Sequence, residues 1–386
     1  MTEPIRSIAL ITSNAASLVN FRLPLVQAMV ASGLSVHALA PDFTDGERAA
    51  LRAAGAQPVD ISMERTGMRP LRDLADLRRL AWVLRDLRPD ATLSYFIKPI
   101  IYGSLAARRA RVPRRFALMA GLGYVFTPSG RESVKRRILR QIVTRLYKAG
   151  FGACERVLFH NRDDLDYVVR ARMIAPAKAL VISGTGVDLS RFATAPVPSG
   201  PPRFLLIARM LTEKGVREFA EAAAMVRTRY PKAEFHLVGG LDSNPGALTG
   251  EEIGQWVSSG TVVWHGHVAD VRPHIRTASV YVLPSYREGK PRSTQEAMAI
   301  GRAVVTTDAP GCRDTVEEGV NGFKVPVRDA AALATAIERF IVQPELAVTM
   351  GAQSRRLAEA IFDVNVINAT VLAALGINRW CQSGSH

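Results

Sequence analysis

Residues 285–301 read SYREGKPRSTQEAMAIG. Glu288 and Glu296 stand eight positions apart, a Gly-Lys-Pro turn follows the first, and the second opens an apolar helical run, Ala297-Met298-Ala299-Ile300. Immediately upstream, Val280-Tyr281-Val282-Leu283-Pro284 reads as a buried strand. A strand, a tight loop and a helix start put backbone N–H groups and the positive end of a helix dipole at the carboxyl end of a strand. Such a corner suits a phosphate, with a carboxylate on either side for sugar hydroxyls. Two Glu at this spacing also arise by accident in helix-rich sequence, so the flanking segments decide.

Upstream, Phe204-Leu205-Leu206-Ile207-Ala208 is a strand that runs into Arg209, and Lys214 follows just before a helix over 216–229. Arg as a planar fork and Lys as a point charge make a diphosphate clamp; two ordinary solvated loop charges are the competing reading. Phe235–Val238 is a strand ending in Gly239-Gly240, and Val262–His267 contains Gly266, positions where a backbone can approach a ligand. Open α/β sheets bind ligands at this edge.

The first half alternates in the same way. Strands are predicted at 8–12, 34–40, 57–61, 91–95 and 115–119, with helices at 21–32, 45–54, 71–87 and 100–109. The fold class is therefore α/β, two doubly wound parallel sheets. A chain of 386 residues exceeds the size at which single cores usually stop growing. Pro196, Pro198, Pro201 and Pro202 form the clearest linker.

At 48% hydrophobic and 22% charged residues, the composition excludes a disordered chain. Cys154, Cys312 and Cys381 imply neither a disulfide framework nor a metal site, and His160, His236, His265, His267 and His274 are not spaced as metal ligands. The N-terminus enters a strand directly, with no signal-peptide pattern, and no run of 18 apolar residues appears, so a cytoplasmic location is expected.

The net charge of +15 is uneven. Residues 1–190 hold 29 Lys/Arg and 16 Asp/Glu, against 21 and 19 in the remainder. Within 131–148, RESVKRRILRQIVTRLYK, Val134, Ile138, Ile142 and Leu146 form one apolar row and Leu139, Val143 and Tyr147 the next, among seven basic residues and one acid. A basic amphipathic helix fits in-plane docking on an anionic membrane; a helix packed on its own sheet is the plainer alternative.

Together the ARMLTEKG segment at 208–215, the E-x7-E segment and TTDAPGCRDTVEEGVNGFKVP at 306–326 resemble glycosyltransferase family 4, enzymes of the GT-B fold. Asn20-Phe21-Arg22, the stretch 94–103 and the stretch 121–127 are similar to its branch that builds bacterial capsules, O-antigens and lipid-linked oligosaccharides. The resemblance implies two Rossmann-like domains facing a cleft. The acceptor domain would span 1–195, the nucleotide-sugar domain 203–352, and a C-terminal helix at 353–375 would return to the first. It implies a retaining transfer of a hexose or N-acetylhexosamine from a UDP-sugar to a polyprenyl-diphosphate-linked saccharide. The UDP-sugar is a co-substrate, and neither cofactor nor metal is expected. The enzyme would sit on the inner face of the cell membrane.

On this reading Glu288, Arg209 and Lys214 are catalytic, with Glu288 on the donor sugar and Glu296 on the ribose. Gly289, Lys290, Pro291, Arg292, Ser293, Gly239 and Gly266 complete the donor site. Ser17, Asn20, Arg22, Lys98, Gly121 and Gly123 are assigned to the acceptor. Many relatives carry a His after the fourth strand; here Tyr95 holds about that position, with Lys98 three residues on, so no His contact is carried over. Lys98, Lys290 and Arg292 are extra cations that a diphosphate-bearing acceptor would explain. Transfer to a soluble acceptor is the alternative among enzymes. Binding of nucleic acid is the alternative from charge alone, and no nucleic-acid motif accompanies that charge.

Overall fold

The computed structural model describes residues 4–377, except 65, 66, 68, 124, 125, 127–133, 243 and 245. Parts of the 121–127 motif and residues 131–133 of the basic helix therefore lie outside the described residues. The chain divides into two compact units, one of Met1–Thr185 with the segment from Asn365 onward, the other of Gly186–Val364.

The first unit runs β1 (Ser7–Ile11), α1 (Leu23–Ala31), β2 (Ser35–Ala40), α2 (Asp45–Ala53), β3 (Ala56–Asp60), α3 (Pro70–Leu87) and β4 (Ala91–Tyr95). It continues with α4 (Ser104–Arg109), β5 (Arg114–Met119), α5 (Val134–Ala153), β6 (Arg156–Phe159), α6 (Arg162–Arg170) and β7 (Ala179–Val181). All strands are parallel, in the order β3-β2-β1-β4-β5-β6-β7. The predicted first and fourth helices both begin as π-helical turns, Leu18–Arg22 and Pro99–Gly103. Strand residues alternate between faces. Ile8 and Leu10 join the core under α1 and α2, while Ala9 and Ile11 join that under α3 and α4. Thr44 and Glu47 close a reciprocal capping box at the start of α2.

The second unit runs β8 (Arg203–Ile207), α7 (Val216–Arg229), β9 (Glu234–Val238), α8 (Gly250–Ser258), β10 (Val263–Trp264), α9 (Arg272–Thr277) and β11 (Val280–Leu283). Then come α10 (Arg292–Ile300), β12 (Ala303–Thr307), β13 (Gly322–Val325), α11 (Ala330–Val342) and α12 (Glu345–Ile361). Its six parallel strands follow the order β10-β9-β8-β11-β12-β13. Both β11 and β12 are buried along their whole length, as a sheet covered on two faces demands.

Two boundaries differ from expectation. The Pro-rich stretch is not the junction. Fully buried Arg302 donates to the carbonyls of Ile275, Arg276 and Pro196, and Ala195 N–H reaches Ile300 O, so this stretch is fastened to the second unit. The returning segment also starts later than residue 353. Buried Ser354 accepts from the Asn321 amide and Arg355 donates to the carbonyls of Phe192 and Ala299, which keeps α12 on the second unit. Only α13 (Val364–Leu375) returns, packing Ile367, Val371 and Leu372 into the core under α1. The two crossings lie side by side. Val187 N–H donates to Phe362 O at 2.7 Å and Val364 N–H to Val187 O at 3.1 Å.

Candidate active site

In the second sheet the strand order reverses between β8 and β11, and the carboxyl ends of such a pair are where open sheets take ligands. The loop after β8 contributes Arg209 and a 3₁₀ turn, Thr212–Lys214. Gly215 then turns with φ 70°, and a Cβ there would stand 2.1 Å from the Pro284 carbonyl oxygen, so only glycine lets this loop lie against the end of β11. The loop after β11 contributes Ser285 and Glu288, and Tyr286 N–H binds it to Glu213 O.

These two loops meet in one ion pair. Lys214 Nζ lies 2.5 Å from Glu288 Oε1, with each side chain about 15% exposed. Ser285 Oγ donates to the same oxygen at 2.9 Å. Beneath them the loop after β12 presses on the Glu288 backbone. Glu288 N–H donates to Pro310 O, and a Cβ on Gly311 would meet Glu288 O at 2.2 Å.

α10 starts directly behind this pair. Its first turn carries no side-chain cap, so its N–H groups and the positive end of its dipole face the loop 288–291. Ser293 is held by Tyr281, whose phenol donates at 2.6 Å and is pushed up in pKa by burial. Glu296 is nearly buried; burial raises its pKa, and Arg292, 2.9 Å away one turn back, opposes that rise.

The remaining predicted donor residues divide. Arg209 is half exposed and forms a 2.7 Å pair with Asp242. Lys290 is not a spare cation, since its ammonium is 3.2 Å from Asp314. Arg292 is likewise engaged with Glu296. Gly239 (φ 143°) has a packing reason, for a Cβ would fall 1.7 Å from Ala208 O. Its N–H donates to Gly266 O and its carbonyl accepts from the Trp264 indole. His236 and His265 are brought together as stacked rings, with His236 Nδ1 2.8 Å from His265 Nε2, and the His274 ring packs tilted against His265. Ser285, Asp242 and Asp314 escaped the sequence reading. Only Asp242, just beyond Gly239-Gly240 at the end of a strand, offered a signal.

In the first unit the reversal lies between β1 and β4. Phe96, just past β4, has φ 72°, a strained value for a bulky side chain of the kind held at functional sites. Ser17 is buried, 3.0 Å from the Tyr95 hydroxyl, and donates to Asn14 O; Arg22 is buried with its guanidinium 5.3 Å from the Tyr95 ring. Lys98 is buried in a 2.8 Å pair with Asp73, and the same carboxylate takes the Tyr102 hydroxyl, whose pKa burial and the neighbouring charge push up to about 12. Ser17, Arg22 and Lys98 thus all lie in the interior of the first unit. Asn20 is exposed, and Gly121 and Gly123 take positive φ. Beyond the carboxyl ends of β1, β2 and β3 lies a hollow of about 710 Å³, bordered by Ser13, Asn14, Asp42, Glu64, Arg69 and Arg72. None of the six residues assigned to the acceptor lines it.

Two family models match the chain, Glycosyltransferase Family 4 over residues 23–191 and Glycosyl transferases group 1 over residues 201–343. The N,N'-diacetylbacillosaminyl-diphospho-undecaprenol alpha-1,3-N-acetylgalactosaminyltransferase of Campylobacter jejuni is 30% identical over 373 residues, covering 93% of this chain and 96% of the relative. The UDP-Gal:alpha-D-GlcNAc-diphosphoundecaprenol alpha-1,3-galactosyltransferase of Escherichia coli is 23% identical over 70% of each chain. Among solved structures, Anabaena HepE in complex with UDP and glucose superposes with a TM-score of 0.75 at 17% identity, covering 96% of this chain and 99% of that one. The likeness in structure establishes the GT-B fold.

Proposed function

The chain belongs to glycosyltransferase family 4, and we propose that it moves a hexose or N-acetylhexosamine from a UDP-sugar, with retention, to a saccharide carried on a polyprenyl diphosphate. The observation that carries the reading is the Lys214–Glu288 pair at the point where the strand order of the second sheet reverses.

Transfer breaks the bond between the anomeric carbon and the diphosphate. Negative charge grows on the leaving phosphate and positive charge on the sugar ring. Lys214, Arg209 and the uncapped start of α10 supply fixed positive potential where the first develops. Without donor, Lys214 and Glu288 neutralise each other. With donor, the ammonium turns to the phosphate and the carboxylate to the sugar hydroxyls. Ser285 holds Glu288 in that position, and Glu296, steadied by Arg292, takes the ribose. The acceptor hydroxyl forms the new bond to the anomeric carbon, and its proton leaves with the diphosphate. This arrangement needs no metal to balance charge.

Two relatives named for diphospho-undecaprenol-linked acceptors support the lipid-linked acceptor, one of them matched along 96% of its length. The hollow beyond β1–β3 is a fitting seat for the acceptor's sugars, with Asp42 as a hydroxyl partner. The name of the second relative supports a UDP-linked donor.

For α5, the two apolar rows separate. Val143 and Tyr147 are buried in the unit, whereas Val134, Ile138 and Ile142 are 70%, 51% and 38% exposed. That exposed stripe among Lys and Arg supports peripheral docking on an anionic membrane. Among the described residues no helix is long and apolar enough to cross one. The direct test incubates the protein with a panel of UDP-sugars and a polyprenyl-diphosphate-linked sugar and measures UDP release. Release dependent on the lipid-linked acceptor is expected; equal transfer to a water-soluble saccharide lacking diphosphate would overturn the acceptor class.

A further inference from the structure

Three helices on one side of the first unit's sheet, α3, α4 and α5, carry exposed positive charge almost unopposed, whereas α6 on the same side carries both signs. The helices of the other face, α1, α2 and α13, carry no charge (α1, α13) or both signs (α2). On α3, α4 and α5 every exposed charged residue is basic except Asp86. These three helices share a side of the sheet: α3 and α4 cover Ala9, Ile11 and Leu39, α5 covers Ala117 and Phe159, and α4 packs against both α3 and α5.

The same face exposes apolar side chains on α3 as well as on α5. Leu71, Leu74 and Trp82 are 87%, 43% and 69% exposed. Leu71, Leu74, Arg78, Trp82 and Arg85 follow one another at steps of three and four, so they form a single stripe with an Arg one turn to either side of the indole. The inward face of α3 is spoken for by Leu80, Ala81 and Leu84 in the core, Asp73 on Lys98 and Asp76 on Ser62.

We propose that α3 is a second contact with an anionic lipid bilayer, with Trp82 seated at the headgroup boundary, Leu71 and Leu74 beside it, and Arg78 and Arg85 on lipid phosphates. A large amphipathic ring between cations is the chemistry of a membrane interface. A second copy of this chain would bring the same positive face and be repelled. Docking by α5 alone leaves the protein free to rock about the axis of that helix, and a second line of contact removes this freedom. The inference rests on the α5 reading above, and the test separates the two.

The full-length protein is mixed with vesicles of phosphatidylglycerol and phosphatidylcholine. Co-sedimentation is measured for the unchanged protein, for Trp82→Ala, and for Arg136→Glu/Arg137→Glu/Arg140→Glu in α5. Trp82→Phe identifies the Trp82 signal against the other tryptophans when brominated lipids quench fluorescence. Trp82 is expected to be quenched by shallow brominated chains, and Trp82→Ala should bind on the order of tenfold more weakly. If the α5 variant is released while Trp82 stays unquenched and Trp82→Ala binds normally, the α3 contact is refuted and α5 docking stands. If the unchanged protein ignores anionic vesicles, both fail. Shielding of Trp82 with rising protein concentration and no lipid, together with a doubled mass, would assign the face to a second copy and overturn the proposal.

Discussion

Replacing Lys214 by Ala should cost the enzyme on two fronts at once. The ammonium is both the proposed phosphate cation and the 2.5 Å partner of Glu288. Loss of one charge-stabilising donor at a developing anion lowers turnover by about 10²–10³-fold. It also takes from Glu288, 15% exposed, the cation that shares its Oε1 with Ser285. A hydrogen bond to a charged group contributes about 1.5–3 kcal/mol, so the carboxylate should lose its fixed position. Glu288→Gln removes the charge that Lys214 balances and loosens the ammonium in turn. The two changes therefore act on one unit, and the double variant should be no slower than the worse single one. Independent residues would multiply to losses of about 10⁴–10⁶-fold. Rates of UDP release at limiting donor, from all four proteins in the cycle with circular dichroism as a folding control, decide between these outcomes. Multiplicative losses would show that the pair is not a unit, and near-normal turnover in Lys214→Ala would remove the diphosphate from this corner.

Glu296→Ala should weaken UDP binding more than it slows transfer, and calorimetry showing unchanged UDP affinity would take the ribose from Glu296. A chelator should leave transfer intact, and a strict need for added divalent ion would defeat the cationic clamp. Gly311→Ala, with φ 76° and a Cβ 2.2 Å from Glu288 O, should lower stability in urea by about 1–3 kcal/mol and cut turnover with it; a neutral result would mean that the loop under Glu288 yields freely. Burial, then neighbouring cationic and imidazole groups, lowers the pKa of His236 and His265 below 6.5. The unfolded chain then takes up protons that the folded one refuses, so stability is complete above pH 6.5 and falls below it. His265→Gln should flatten that decline in thermal melts, and an unaltered slope would place its origin elsewhere.

The strands and the corner at Glu288 were legible because their signals are local. Apolar runs ending in Arg, Gly or Glu need only a few neighbouring residues to be recognised, and Lys214 and Glu288 each close such a run. Their partners were hidden by distance along the chain. Asp73 reaches Lys98 across 25 residues and Asp242 reaches Arg209 across 33, and Lys290 likewise finds Asp314 on another loop; Arg292 alone pairs locally, with Glu296 one turn on. Periodicity showed one broad apolar face on α5 but not that the core takes Val143 and Tyr147, with Leu139 and Leu146 half-buried beside them, and leaves Val134, Ile138 and Ile142 exposed. The boundary near residue 353 failed for a similar reason. Helical pattern runs through α12 and α13 with only Phe362 and Asp363 between them, and burial of Ser354 rather than any break in sequence assigns α12 to the second unit.

The paired crossings at Val187 and Phe362–Val364 make residues 186–364 an insertion with adjoining ends. Recombination between related genes can therefore exchange this whole segment through two joins only a hydrogen bond apart, without designing a new connection. A lineage can acquire a different β8–β13 sheet while keeping α3, α4 and α5 unchanged. Inheritance in such a protein is modular even though one module interrupts the other along the chain.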